Sequence, residues 1–238
     1  MKHLWKGASA LLLFAAMAVA CAPGCVDAEA PFFIMSAKAV GCDTLTVDSD
    51  DIGIGTMDVR YACSYTAVLQ LGNQLVRRGN QTKLQLETSR VSVTSFDVEI
   101  LDAAGSPIQN ATGAAAFTYP TTGFIDPASA SEPGLGLAAA LLVDGATAQT
   151  LQAQGGGSII ARIIAHGRTL GGDDVTTRPF DFPIQVCDGC LCTEPADDTC
   201  VNPESAPKAQ CFRAQDQLFD CRFLGGHTCS DTAVCGNF

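Results

Sequence analysis

The chain has 238 residues, with 14 lysines and arginines against 25 aspartates and glutamates and a formal net charge of −11. Phosphate binding needs a cationic face, so this balance argues against a nucleic-acid partner. The 12 cysteines point to an oxidising compartment and to disulfides.

Lys2 and Lys6 precede an apolar run from Ala8 to Ala20 whose polar member is Ser9. A basic start followed by such a run has the form of a signal peptide. It is shorter than the roughly 20 apolar residues of a spanning helix. Ala18-Val19-Ala20 supplies the small side chains of a cleavage site, and Cys21 follows directly. Removing residues 1–20 takes the basic residues from 14 to 12, leaves the 25 acidic ones, and moves the charge from −11 to −13. At that charge, close adsorption to an anionic lipid surface is disfavoured. Residues 21–30, with Ala22-Pro23-Gly24, read as a tether. Trp5 leaves with the signal, so Tyr61, Tyr65 and Tyr119 are the polar aromatics left, which weakens a glycan-binding reading.

Residues 31–186 read as β. Phe32 to Met35 opens the region, and Ser64 to Leu71 forms a second strand stopped by Gly72-Asn73. Lys83 to Leu86 alternates. Val91 and Val93 lie on one parity and Phe96, Val98 and Ile100 on the other, which predicts a bulge or bend near Thr94-Ser95. Asp102 to Pro107 is a turn. Phe117 to Tyr119 is a short strand ended by Pro120, and residues 120–134 are expected to form a long surface loop. Leu135 to Val143 suits a strand, followed by a short helix capped by Asp144 and broken at Gly155-Gly156-Gly157. Ser158 to Ala165 suits a strand buried on both faces, and His166 to Asp174 a glycine-rich turn. Phe180, Phe182, Ile184 and Val186 alternate with polar residues and Pro183, an edge signal. About eight strands with turns between them predict a β-sandwich of immunoglobulin-like or fibronectin-like architecture. Cys42 and Cys63 are expected to staple it.

Composition shifts at Cys187. Cys187, Cys190, Cys192, Cys200, Cys211, Cys221, Cys229 and Cys235 fall in residues 187–238, which read as a small disulfide-rich module. Its pairings stay open, with four bridges expected inside it.

Candidate chemistry is sparse. Cys187-Asp188-Gly189-Cys190 has the spacing of a zinc knuckle or of a redox pair, with Cys192 and His227 as further zinc ligands. An oxidising location favours disulfides. Asp48, Asp50 and Asp51 form a weak calcium candidate whose spacing fails the EF-hand pattern at Ile52 and Val59, so a solvated acidic loop is the expectation and no metal is assigned. There is no G-x-S-x-G, no H-E-x-x-H and no phosphate loop. His166 and His227 read as surface or turn residues. No catalytic residue and no cofactor is predicted, and the chain is read as non-enzymatic.

Ala18-Val19-Ala20-Cys21 resembles the lipobox of bacterial lipoproteins, with Ala18 where the typical motif has Leu. The resemblance implies diacylglycerol and acyl chains on Cys21 and a bilayer as partner. Ala22 in place of Asp after the cysteine implies the outer membrane. Cys25 is then the expected unpaired sulfur. The alternative is plain secretion, in which Cys21 and Cys25 could pair. Body and tail together look similar to exported β-sandwich lipoproteins with cysteine-rich tails, a likeness that implies architecture and no reaction. The expected role is structural or protein-binding at the cell envelope. The alternatives are a glycan- or calcium-binding surface module and a thiol-redox protein using Cys187 and Cys190.

Overall fold

The computed structural model describes residues 30–39, 46–79, 86–129, 132–193 and 214–220. The strands are β1 (Phe32–Lys38), β2 (Asp51–Ile52), β3 (Gly55–Asp58), β4 (Tyr65–Asn73), β5 (Val91–Asp102), β6 (Ala116–Ile125), β7 (Gly134–Val143), β8 (Gly157–Thr169), β9 (Asp174–Thr176), β10 (Phe180–Cys187), β11 (Cys192–Thr193) and β12 (Phe219–Asp220). Among the described residues the helix is α1 (Gly145–Ala153), which follows β7. The chain is therefore mainly β, as its alternation predicts. A four-stranded sheet has the order β2-β1-β4-β7, and a larger sheet has the order β3-β10-β8-β5-β6 with β9 paired to β8. β11 and β12 pair separately.

One core joins the two sheets. Phe32, Leu69, Leu71 and Leu142 from the smaller sheet belong to the same buried cluster as Phe96, Val98, Ile163 and Phe182 from the larger one. Burying a side chain of this size contributes about 1.5–3 kcal/mol, so this shared layer is the main stabilising term. Asn73 ties the sheets where β1 begins. Its Nδ2 donates to Ser89 O (2.9 Å) and Ile125 O (3.3 Å), and its Oδ1 accepts from Leu75 N (2.9 Å).

Register gives the body two ends. Phe32 lies opposite Asn73, which lies opposite Gly134, while Val91 lies opposite Ile125 and Thr169. This near end is where the chain enters at Ala30. At the far end Tyr65 lies opposite Val143, Asp102 opposite Ile159, and Val186 opposite Gly157.

Several local expectations match the structure. The register of β5 shifts between Val93 and Ser95 against both neighbours, at the predicted bulge. Asp144 caps α1, its Oδ1 accepting from Thr147 N at 2.8 Å. Gly155, Gly156 and Gly157 all have positive φ, which ends the helix. A Cβ at position 156 would also meet Val186 O at 2.6 Å.

Others need correction. β6 runs through Pro120 to Ile125, so much of the expected 120–134 loop is strand. Pro120 is tolerated because it lies opposite the β5 bulge, on the outermost strand of its sheet. β8 alternates buried with half-exposed residues, so its outer face is not fully covered. His166 lies within β8, not in a turn. β10 is an inner strand, and Pro183 sits just before the β3 ladder, which starts at Ile184. Lys83 and most of its alternating stretch lie outside the described residues.

Candidate functional site

The chemistry-bearing residues gather at the far end, around the buried carboxylate of Asp58 at the end of β3. Asp58 is fully buried. Its Oδ1 accepts from Gly189 N (2.8 Å) and Arg60 N (3.1 Å), and its Oδ2 accepts from Leu191 N (3.0 Å). Three amides that would otherwise be unpaired are satisfied by one side chain. Two belong to the Cys187–Leu191 segment, so Asp58 shapes that loop. Arg60 closes it from outside, its Nε 2.7 Å from Asp188 Oδ1. Gly189 takes φ +85, a conformation that favours glycine.

Cys187 and Cys190 are joined in a disulfide. Their sulfurs and an Asp58 oxygen lie within 4.8 Å of one another. Zinc needs thiolates, and in this arrangement the two sulfurs are bonded to each other while Asp58 is occupied by amides. Cys63 and Cys192 are disulfide-bonded as well. Cys21, Cys25, Cys42, Cys200, Cys211, Cys221, Cys229 and Cys235 lie outside the described residues, and so does the proposed 42–63 pairing.

Residues 214–220 pack directly on this end. Asp58 N donates to Ala214 O (3.0 Å) and Asp216 N to Thr56 O (2.9 Å), so the segment runs along the free side of β3. Met57 and Gln215 form an antiparallel bridge. The Gln215 amide copies a peptide group toward β4, accepting from Thr66 N (3.1 Å) and donating to Thr66 O (3.4 Å). One short segment thus clips both sheets. Phe219 adds an edge-on ring contact with Tyr61, centroids 5.3 Å apart.

Asp216 completes the clip. Its carboxyl accepts from Thr56 N (2.6 Å) and from the Tyr65 hydroxyl (2.8 Å). Burial pushes its pKa above the usual carboxylate range, although both hydrogen bonds pull the other way. Burial, and then the Asp216 charge, raises the Tyr65 phenol. Gly55 leaves room for this pair, since a Cβ there would collide with the Tyr65 hydroxyl.

The acidic loop of the calcium candidate holds a cation of its own. Lys38 is 3% exposed, and its Nζ lies 2.7 Å from Asp51 Oδ1 and 2.9 Å from Ser49 O. Lys38, and then the Ser36 hydroxyl, hold the Asp51 carboxyl below its usual range. Asp48 and Asp50 are exposed beside it. An ammonium group stands where a divalent ion would need open oxygens.

On the outer face of the larger sheet, Asp97 accepts from Thr118 Oγ1 (2.6 Å) through one oxygen and pairs with His166 Nε2 (2.7 Å) through the other. The Thr118 bond, ahead of His166, lowers the Asp97 pKa. Thr176 Oγ1 lies 3.4 Å from His166 Nδ1. The row links β6, β5, β8 and β9 across an exposed surface. Sequence reasoning missed it by placing His166 in a turn. The outward phase of Asp97 in β5 was the available signal.

No known family, no curated protein and no solved structure matches the chain.

Proposed function

We propose that the chain is an exported lipoprotein, anchored through lipid on Cys21, that displays an immunoglobulin-like or fibronectin-like β-sandwich as a non-enzymatic docking body at the cell envelope. The observation that carries the anchor is the order of Lys2 and Lys6, the apolar run, and Ala18-Val19-Ala20-Cys21. Two sheets around one core support the sandwich, as do the eight strands of four or more residues among the described residues. A structural role is favoured by how the far-end groups are used. Asp58, Tyr65, Asp216 and the Cys187–Cys190 bridge all hold backbone or tail in place. Intact-mass analysis of protein purified from its own membrane tests the reading. The expected result is loss of residues 1–20 and added acyl mass on Cys21. An unmodified Cys21 on protein found free in the medium overturns it.

A second reading is a thiol-redox protein. The observation favouring it is that Cys187 and Cys190 pair with each other, with Cys190 exposed. Titration against glutathione and dithiothreitol tests it. Opening in glutathione alone would support redox work, and resistance to it would support a staple.

A further inference from the structure

We propose that the near end of the β body, where the chain enters at Ala30, is a bilayer-facing surface. This rests on the anchored reading and adds which face meets the lipid.

The first observation is where apolar side chains are exposed. Eight large ones are exposed among the described residues, and five of them, Val76, Leu86, Phe124, Leu135 and Leu170, stand at the near end. Leu86 is 86% exposed and Val76 76%. They come from four separate places in the sequence: the β4–β5 connection, the end of β6, the start of β7 and the β8–β9 turn. Ile54 and Leu218 are the exposed pair at the far end. Beside Ala30, Phe33, Ile34 and Phe180 line a cavity of about 340 Å³ together with Gln74 and Arg178.

The second observation is charge. Arg77, Arg78, Arg90, Arg168 and Arg178 all belong to near-end connections or strand termini. Glu87, Asp126, Glu132, Asp173 and Asp174 match them in number, so this end carries no net charge among the described residues. The negative charge lies at the other end, on Asp48, Asp50, Asp58, Asp102, Asp188 and Asp216 among others, with Lys38 and Arg60 as the far-end cations. The net charge of the chain disfavours an anionic surface, but its distribution favours one orientation on it, far end outward. Arg90 illustrates the fit. Its guanidinium lies 5.8 Å from the Phe124 ring centroid and 2.6 Å from Asp126. An arginine beside an exposed aromatic suits a surface where apolar stems enter lipid and charged heads stay wet.

The third observation is reach. Residues 22–29 separate Cys21 from Ala30, and even fully extended they span only roughly 30 Å. The near end is the part of the body that an anchor on Cys21 holds closest to lipid.

The mature chain lacks tryptophan, so a single introduced one reports its own surroundings. Natively processed full-length protein carrying Leu170→Trp, Val76→Trp or Ile54→Trp is reconstituted into vesicles of phosphatidylcholine and phosphatidylglycerol with brominated acyl chains. Emission from positions 170 and 76 is expected to fall roughly two-fold relative to unbrominated vesicles, as for side chains at the headgroup boundary. Emission from position 54 is expected to hold. Equal emission changes at all three positions, in protein that floats with the vesicles, overturn the face and leave the anchor standing. Protein that does not float overturns the anchor. The same variants with Cys21→Ser and an amino-terminal histidine tag, held on nickel-chelating brominated vesicles, then judge the face alone. Quenching at 170 and 76 but not at 54 upholds it, and uniform behaviour overturns it. Self-association without lipid quenching assigns the surface to a second copy and also overturns it.

Discussion

At the far end, Asp58, Gln215 and Asp216 pair with backbone groups of β3, β4 and the Cys187–Leu191 loop, and a disulfide closes that loop. At the near end, Asn73 ties the sheets from within, while Val76, Leu86 and Leu170 stand exposed outside. The two ends share one core and differ in what finishes them. Hydrogen-bonded cross-links finish the far end. Exposed apolar groups among paired charges suit a surface covered by something else. The difference teaches that an acidic chain is not uniformly acidic, and that net charge alone misjudges what one face can meet.

Mutation can break this contrast, and the far end should be the sensitive one. Asp58→Ala leaves three amide donors unpaired in a buried site and is expected to cost about 3 kcal/mol or more in urea unfolding. A loss below about 1 kcal/mol would remove Asp58 from the centre of this account. Replacing both Cys187 and Cys190 by Ser opens a short loop, for which chain entropy gives about 2 kcal/mol. A larger loss would mean that the loop itself comes away from Asp58.

Acidity sharpens the contrast. The folded-state pKa of Asp216 is raised, so its contribution to stability is fully present below the ordinary carboxylate range, about pH 4, and is lost as pH rises through the raised value. Asp51 and Asp97 are lowered, as is Asp181 of β10, whose carboxylate pairs with Arg162 of β8 at 2.8 Å, and all three act in the opposite sense, losing their contribution on acidification. Asp216→Asn keeps a side-chain acceptor and removes the ionisation. The variant is therefore expected to gain on wild type between pH 4 and 7 as pH rises, read as the difference in melting temperature. An identical pH profile would place the Asp216 carboxyl in water.

The smallest effects belong at the near end. Leu170→Ser and Val76→Ser are expected to change unfolding free energy by less than about 0.5 kcal/mol, as surface substitutions do. A large loss at either position would show that the side chain supports the fold instead of facing a partner.

Much of the body was legible because its signals are local. A two-residue alternation identified β5 and β10, a phase change in Val91–Ile100 located the bulge, and Asp144 before a polar-apolar run announced α1. What escaped depends on pairing. β2 and β3 are short, and β3 is a strand because β10 and residues 214–216 lie on either side of it. Pro120 looked like a stop until β5 supplied a bulge opposite it. The Cys187–Cys190 spacing was visible, but the carboxylate beneath it comes from Asp58, 129 positions before Cys187. The acidic loop was recognised, while its internal cation, Lys38, sits on another strand.

The segment that runs along β3 is made long after it, with Asp216 following Thr56 by 160 residues. A ribosome delivers residues 55–58 and then β10 before residues 214–216, so once β10 has paired with β3 the outer hydrogen-bonding groups of that strand wait, bare, until the later segment arrives. A bare strand margin is a template for any other extended polypeptide nearby. Termination ahead of residue 214 should therefore yield a sticky product, detectable by light scattering, and not merely a shorter one.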